Sequence, residues 1–139
     1  MSNLKQAIKQ NYVKCAKSPS YFINEFCTIQ HPQRGKIKFK LYPYQYDVLD
    51  EFEKHDYNVV LKSRQLGIST LSAAYALWMM LFHNDKNILC IATSKDTAKN
   101  LVTKVRIMYE GLPNWLKTAI VENNKLSLIF KNGSQIKAI

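Results

Sequence analysis

The chain has 139 residues, 47% of them apolar, with 20 Lys or Arg against 10 Asp or Glu and a formal net charge of +10. That length suits one domain, and the apolar fraction is enough for a packed core and excludes a disordered tail. The longest apolar run, Ala73–Phe82, falls well short of the ~20 residues of a membrane-crossing helix, Met1–Gln10 has no signal-peptide core, and Cys15, Cys27 and Cys90 form no CxxC pair of a zinc site or disulfide framework.

The charge is uneven from the start: residues 1–40 hold eight Lys or Arg and one acid, Glu25, or +7 of the surplus. Such a surplus suits a polyanionic partner, or a part of a larger body whose remainder is acidic. Asn3–Lys17 sets Leu4, Ala7, Ile8, Tyr12 and Val13 among lysines, which predicts a short amphipathic helix. Ser18-Pro19-Ser20 breaks it, and Ser20 is the expected cap of a second helix over Tyr21–Thr28. His31-Pro32-Gln33-Arg34-Gly35 is a turn, and Lys36–Lys40 alternates lysine with apolar residues as an exposed edge strand does.

Pro43 marks a helix start ahead of Tyr44–Lys54, whose apolar positions are Tyr44, Val48, Leu49 and Phe52. Tyr57–Leu61 reads as a strand, Ser63–Ser69 as a loop, and Thr70–His83 as a helix packed on all sides. After a turn at Asn84–Asn87, Ile88–Ala92 predicts a second buried strand. Thr93–Glu110 predicts a helix with Leu101, Val102, Val105 and Met108 as its core stripe, with Thr93, Ser94 and Lys95 as strand end and N-cap. Gly111-Leu112-Pro113 ends it, Trp115–Ile120 adds a helical turn or two, and Lys125–Phe130 with Ser134–Ile139 forms a hairpin around Asn132-Gly133. Strand, loop, helix, strand and helix over residues 57–110 make a βαβα unit, hence an α/β fold with a parallel sheet.

The segment Lys62-Ser63-Arg64-Gln65-Leu66-Gly67-Ile68-Ser69-Thr70 sits between an expected strand and an expected helix, the setting of a phosphate-binding loop. A helix start offers unpaired N–H groups and a positive dipole, and Gly67 lets the backbone approach a phosphate. Ser69 stands where the pattern GxxxxGK[ST] places the hydroxyl that ligates Mg²⁺. The match is partial: Lys62 occupies the first Gly position and Ile68 the Lys position. An isoleucine neutralises no phosphate, so the cation comes from elsewhere. Lys62 is the first choice and Arg64 a second cation for developing charge. An ordinary strand–turn–helix connection is the alternative.

With Phe39-Lys40-Leu41-Tyr42-Pro43-Tyr44-Gln45 ahead of it, Ser63–Thr70 resembles the ATPase domain of tailed-phage terminase large subunits, DNA-packaging motors of the T4 type. The resemblance implies a RecA- or helicase-like P-loop NTPase sheet with flanking helices, with ATP and Mg²⁺ as cofactors held by Gln45 and residues 62–70. Gln45 matches the family's adenine-recognition element: an amide both donates and accepts, as the adenine edge requires. Tyr42 or Tyr44 is placed to stack on the ring. The resemblance also implies double-stranded DNA, the portal and the small terminase subunit as partners, a homo-oligomeric ring, and the cytoplasm of an infected bacterial host.

Such an ATPase needs an aliphatic strand ending in Asp and Glu, to hold Mg²⁺ and activate water. Val59–Leu61, Ile88–Ala92 and Leu126–Phe130 are followed by Lys62, Thr93 and Lys131. The expectation is therefore a basic helical segment over 1–40 and a partial ATPase domain over 41–139, cut before the Walker B strand and without the nuclease domain. Nucleotide binding rather than efficient hydrolysis follows, as does poor solubility from an open sheet edge. Competing readings are a non-catalytic basic nucleic-acid-binding module and a helicase-type ATPase fragment. His31, His55 and His83 lack metal-ligand spacing, and Trp78 and Trp115 fit apolar helix faces.

Overall fold

The computed structural model describes residues 2–31, 33–61 and 67–139. Helix α1 (Ser2–Lys17) forms where the lysine-spaced apolar stripe requires it, and buries Cys15. Helix α2 is Pro19–Phe26 rather than 21–28. Its cap is Ser18, whose Oγ accepts the Tyr21 N–H at 3.2 Å, because Pro19 suits the first helical position and shifts the start forward.

Thr28 leaves the helix to open strand β1 (Thr28–His31), which pairs antiparallel with β2 (Gly35–Lys38). The turn between them uses Gly35 at φ +70°, and His31 Nδ1 accepts the Gln33 and Arg34 N–H groups at 3.1 Å. Helix α3 (Pro43–Lys54) begins with its proline at the first position, as the sequence predicts.

Residues 57–61 depart most from expectation. They form no strand, and Tyr57, Val59 and Leu61 are 94%, 99% and 100% exposed. A strand is stable only against a partner, and the described residues offer none here. A cavity of about 620 Å³, lined by His55, Asn58, Tyr75, Asn87 and Leu89, separates this segment from the nearest sheet edge.

Helix α4 (Ile68–Phe82) is the centre of the core. Leu71, Ala73, Ala74, Leu77 and Met80 are wholly buried on several faces, as its uninterrupted apolar composition dictates. Trp78 Nε1 donates to the Cys15 carbonyl at 2.8 Å, and Phe82 packs edge-on against Tyr12 and Phe22. These contacts tie α1 and α2 to α4.

The main sheet has four strands: β3 (Asn87–Cys90), β4 (Ile120–Asn123), β5 (Ser127–Phe130) and β6 (Gln135–Ala138), in the order β3-β6-β5-β4. Only β3 and β6 run parallel; the other two pairings are antiparallel. The fold is mixed α/β, and the wholly parallel sheet expected from the βαβα pattern is replaced by this mixed one. Strand β3 is an edge, which is why Leu89 and the following Ile91 stay 56% and 72% exposed despite an apolar sequence that suggests burial. The helical turn expected over Trp115–Ile120 is shorter and earlier, Asn114–Leu116, and strand β4 follows it where no strand was expected.

Helix α5 (Lys95–Glu110) connects β3 towards the hairpin and buries Val102, Val105 and Met108. The β5–β6 hairpin turns at Asn132-Gly133 as predicted. Gly133 has φ +87°, and the Asn132 amide donates to the Met80 carbonyl at 2.8 Å, docking the turn on the end of α4. No helix among the described residues is long and apolar enough to cross a membrane.

Candidate nucleotide-binding site

The first turn of α4 is where the candidate residues meet. Gly67 is its N-cap, in the left-handed conformation (φ 72°, ψ 16°), and its carbonyl accepts the Leu71 N–H at 2.9 Å. Only glycine takes that conformation without cost, so the glycine of the loop pattern is explained by local geometry. Ile68 is buried, at 8% exposure. Its side chain belongs to the core, so the position that holds lysine in the phosphate-loop pattern presents no group to a ligand. Ser69 is exposed and Thr70 half-buried.

Gln45 is brought to this turn from α3. Its Oε1 accepts the Tyr42 N–H at 2.8 Å, closing the start of α3 in the manner of a capping-box glutamine. Because a backbone N–H requires an acceptor, this bond fixes the amide orientation and directs Nε2 towards the start of α4. A Cβ built on Gly67 would lie 3.0 Å from that Nε2, so the amide abuts the loop glycine. Gln45 is only 1% exposed, a buried residue rather than a surface one. One acceptor site of its amide is already engaged by Tyr42, so the donor faces the α4 start.

The two tyrosines divide. Tyr42 and Tyr44 stack on each other, ring centroids 6.0 Å apart and planes 8° from parallel, and both are substantially exposed. Tyr42 lines a cavity of about 340 Å³ together with Gln45, Gly67, Thr70, Lys38 and Ile37. This volume falls in the lower range for small-molecule sites. The β1–β2 hairpin, not expected to take part, forms one of its walls. That Ile37 and Lys38 border this cavity arises only from the tertiary arrangement.

On its other flank, the first turn of α4 borders a cavity of about 620 Å³. It is lined by Ser69, by Cys90, Ile91 and Ala92 at the carboxyl end of β3, and by Thr103 and Lys104 of α5. Crevices outside the carboxyl ends of strands are the usual ligand positions of α/β sheets. Burial raises the Cys90 thiol above its ordinary pKa, so the sulfur stays a neutral lining atom near pH 7. Ser94 caps α5, its Oγ accepting the Thr97 N–H at 3.2 Å.

Gln45, Gly67, Ser69 and Thr70 are thus brought together, and Ile68 is turned away. Lys62, Ser63, Arg64, Gln65 and Leu66 lie outside the described residues. Among the described residues no group of His, Cys, Asp and Glu is placed to hold a metal ion.

The Gly67 conformation sets a direct test of the backbone argument. Gly67→Ala should lower unfolding stability by about 1–2 kcal/mol, since a Cβ there is strained both by φ and by the Gln45 amide. A urea midpoint unchanged from the parent chain would show that the left-handed cap is not required.

No family model matches the chain. It is similar to the crystal structure of the HK97 bacteriophage large terminase, with a TM-score of 0.68 and 22% sequence identity over 89% of this chain. It spans 27% of that terminase's length. The described residues therefore share their fold with one part of a large terminase.

Proposed function

We propose that the chain is the ATP-binding part of a viral DNA-packaging motor, a terminase large subunit of the T4 type. In such a motor, ATP hydrolysis is coupled to movement of double-stranded DNA into a procapsid. The observation that carries this reading is the abutment of the Gln45 amide on Gly67 at the start of a buried helix. A nucleotide-sized cavity lies on one flank and a crevice at the end of β3 on the other. The shared fold with a large terminase supports it.

In this reading the base enters beside Tyr42 and Gln45, and the phosphates lie along the loop and the N–H groups at the start of α4. The helix dipole and exposed N–H donors there favour an anion. Lys62 holds the phosphates, with Arg64 as a second cation; Ser63, Gln65 and Leu66 contribute loop backbone. Ser69 supplies the hydroxyl for Mg²⁺. The acids that activate water come from outside this sequence, so the chain alone binds nucleotide and hydrolyses it poorly. Its partners are double-stranded DNA, the portal and the small terminase subunit, in a homo-oligomeric ring within the host cytoplasm.

The test is equilibrium binding of ATP with Mg²⁺ to the full chain. Saturable binding of one nucleotide per chain is expected, with adenosine weaker; no binding of either would overturn the reading. A second reading, a basic nucleic-acid-binding module, is favoured by Arg34, Lys36, Lys38 and Lys40, all exposed in a stretch from 26 to 46 that contains no acid. DNA affinity that falls steeply with salt and ignores ATP would support that module instead.

A further inference from the structure

In the nucleotide reading Lys62 and Arg64 supply the loop's charge, while the position after Gly67 offers none, because Ile68 stands there and is buried. Lys104 of α5 borders two cavities that reach the next residues of the same helix turn. It lines the large cavity together with Ser69, and it also lines a smaller cavity of about 140 Å³ with Thr28 and Thr70. Ser69 and Thr70 are successive residues of one helical turn, so a lysine bordering a cavity at each of them stands beside that helix start.

The placement follows from the register of α5. Val105 and Met108 point into the core, and Lys104 falls at the margin of that stripe, half-buried. Its methylene stem can lie along Ile107 and Met108 while the ammonium seeks a polar surrounding. No carboxylate lines either cavity. The ion pairs among the described residues are Lys54–Asp50, His55–Glu51 and Lys99–Asp96, none of which involves Lys104. Lys104 is half-buried, and a cation bordering cavities that hold no carboxylate is placed to strengthen the binding of an anion that enters them.

The geometry points to Lys104 as a phosphate-binding cation for a nucleotide held at the start of α4, replacing the ammonium that Ile68 cannot supply. This rests on the nucleotide reading. The test compares ATP–Mg²⁺ and adenosine affinities of the full chain with those of Lys104→Met and Lys104→Arg. Lys104→Met should weaken ATP binding about tenfold and leave adenosine binding unchanged, whereas Lys104→Arg should stay within about twofold of the parent for both. Unchanged ATP affinity in Lys104→Met overturns the inference while leaving the nucleotide site standing. Equal losses for ATP and adenosine also overturn it, since they assign Lys104 to the shape of the site rather than to its charge. If Lys104→Met melts below the parent chain, Lys104→Gln, which keeps a polar tip, carries the same comparison. A parent chain that binds no ATP removes the nucleotide reading itself, and this inference with it.

Discussion

Lys62→Ala should reduce ATP affinity about a hundredfold and leave adenosine affinity unchanged, because a charge-assisted contact to phosphate is among the strongest single interactions a loop can offer. The burial of Ile68 makes this expectation sharper than the sequence pattern alone does. With the usual lysine position turned into the core, nothing at the first turn of α4 carries a positive charge. Lys62, Arg64 and Lys104 are then the candidates for the missing ammonium, and their alanine or methionine variants rank them. Calorimetric titration of each variant with ATP–Mg²⁺ gives the ranking. A full loss in Arg64→Ala with none in Lys62→Ala would transfer the phosphate role to Arg64. Parent-like affinity in both would remove the loop from the site.

The second expected result concerns the apolar segment ahead of the loop. The parent chain should self-associate through this segment, and Val59→Lys together with Leu61→Lys should make it monomeric while leaving the unfolding free energy within about 0.5 kcal/mol of the parent. Both side chains are essentially fully exposed, so no packing is lost. An exposed apolar segment in extended chain is a template for pairing between copies, and charge on it opposes that pairing. Sedimentation velocity at matched concentrations reads the association state. A monomeric parent chain would show that residues 57–61 do not drive association, and a double variant that melts well below it would show that Val59 or Leu61 is packed.

Most helices were legible because their signals are local. Pro43 at a first turn, the lysine-spaced stripe of α1 and the apolar run of α4 each act within a few residues, and each element formed where it was read. The Asn132-Gly133 turn was legible for the same reason: glycine at φ +87° closes the β5–β6 hairpin whatever surrounds it. Strands were less legible. Tyr57–Leu61 has the composition of a buried strand yet pairs with no strand among the described residues, while Thr28–His31 and Ile120–Asn123 became strands with weaker local signals. A strand owes its stability to a neighbour that the sequence around it does not name.

The candidate site divides along the same line. By itself the sequence determined the special position of Gly67 and the absence of lysine at position 68, and it singled out Gln45 as a candidate for base recognition. It also determined the basic first third of the chain and the want of acids at the strand ends. Only the tertiary structure decided that Gln45 is buried with its amide against Gly67, that Tyr42 rather than Tyr44 lines the cavity, and that the β1–β2 hairpin walls it. It alone brought Lys104, far along the chain, to the turn that holds Ser69 and Thr70. The physical reason is range: dihedral preferences and caps act over one turn of helix, whereas a cavity is defined by surfaces that meet only when distant segments bury their apolar faces together.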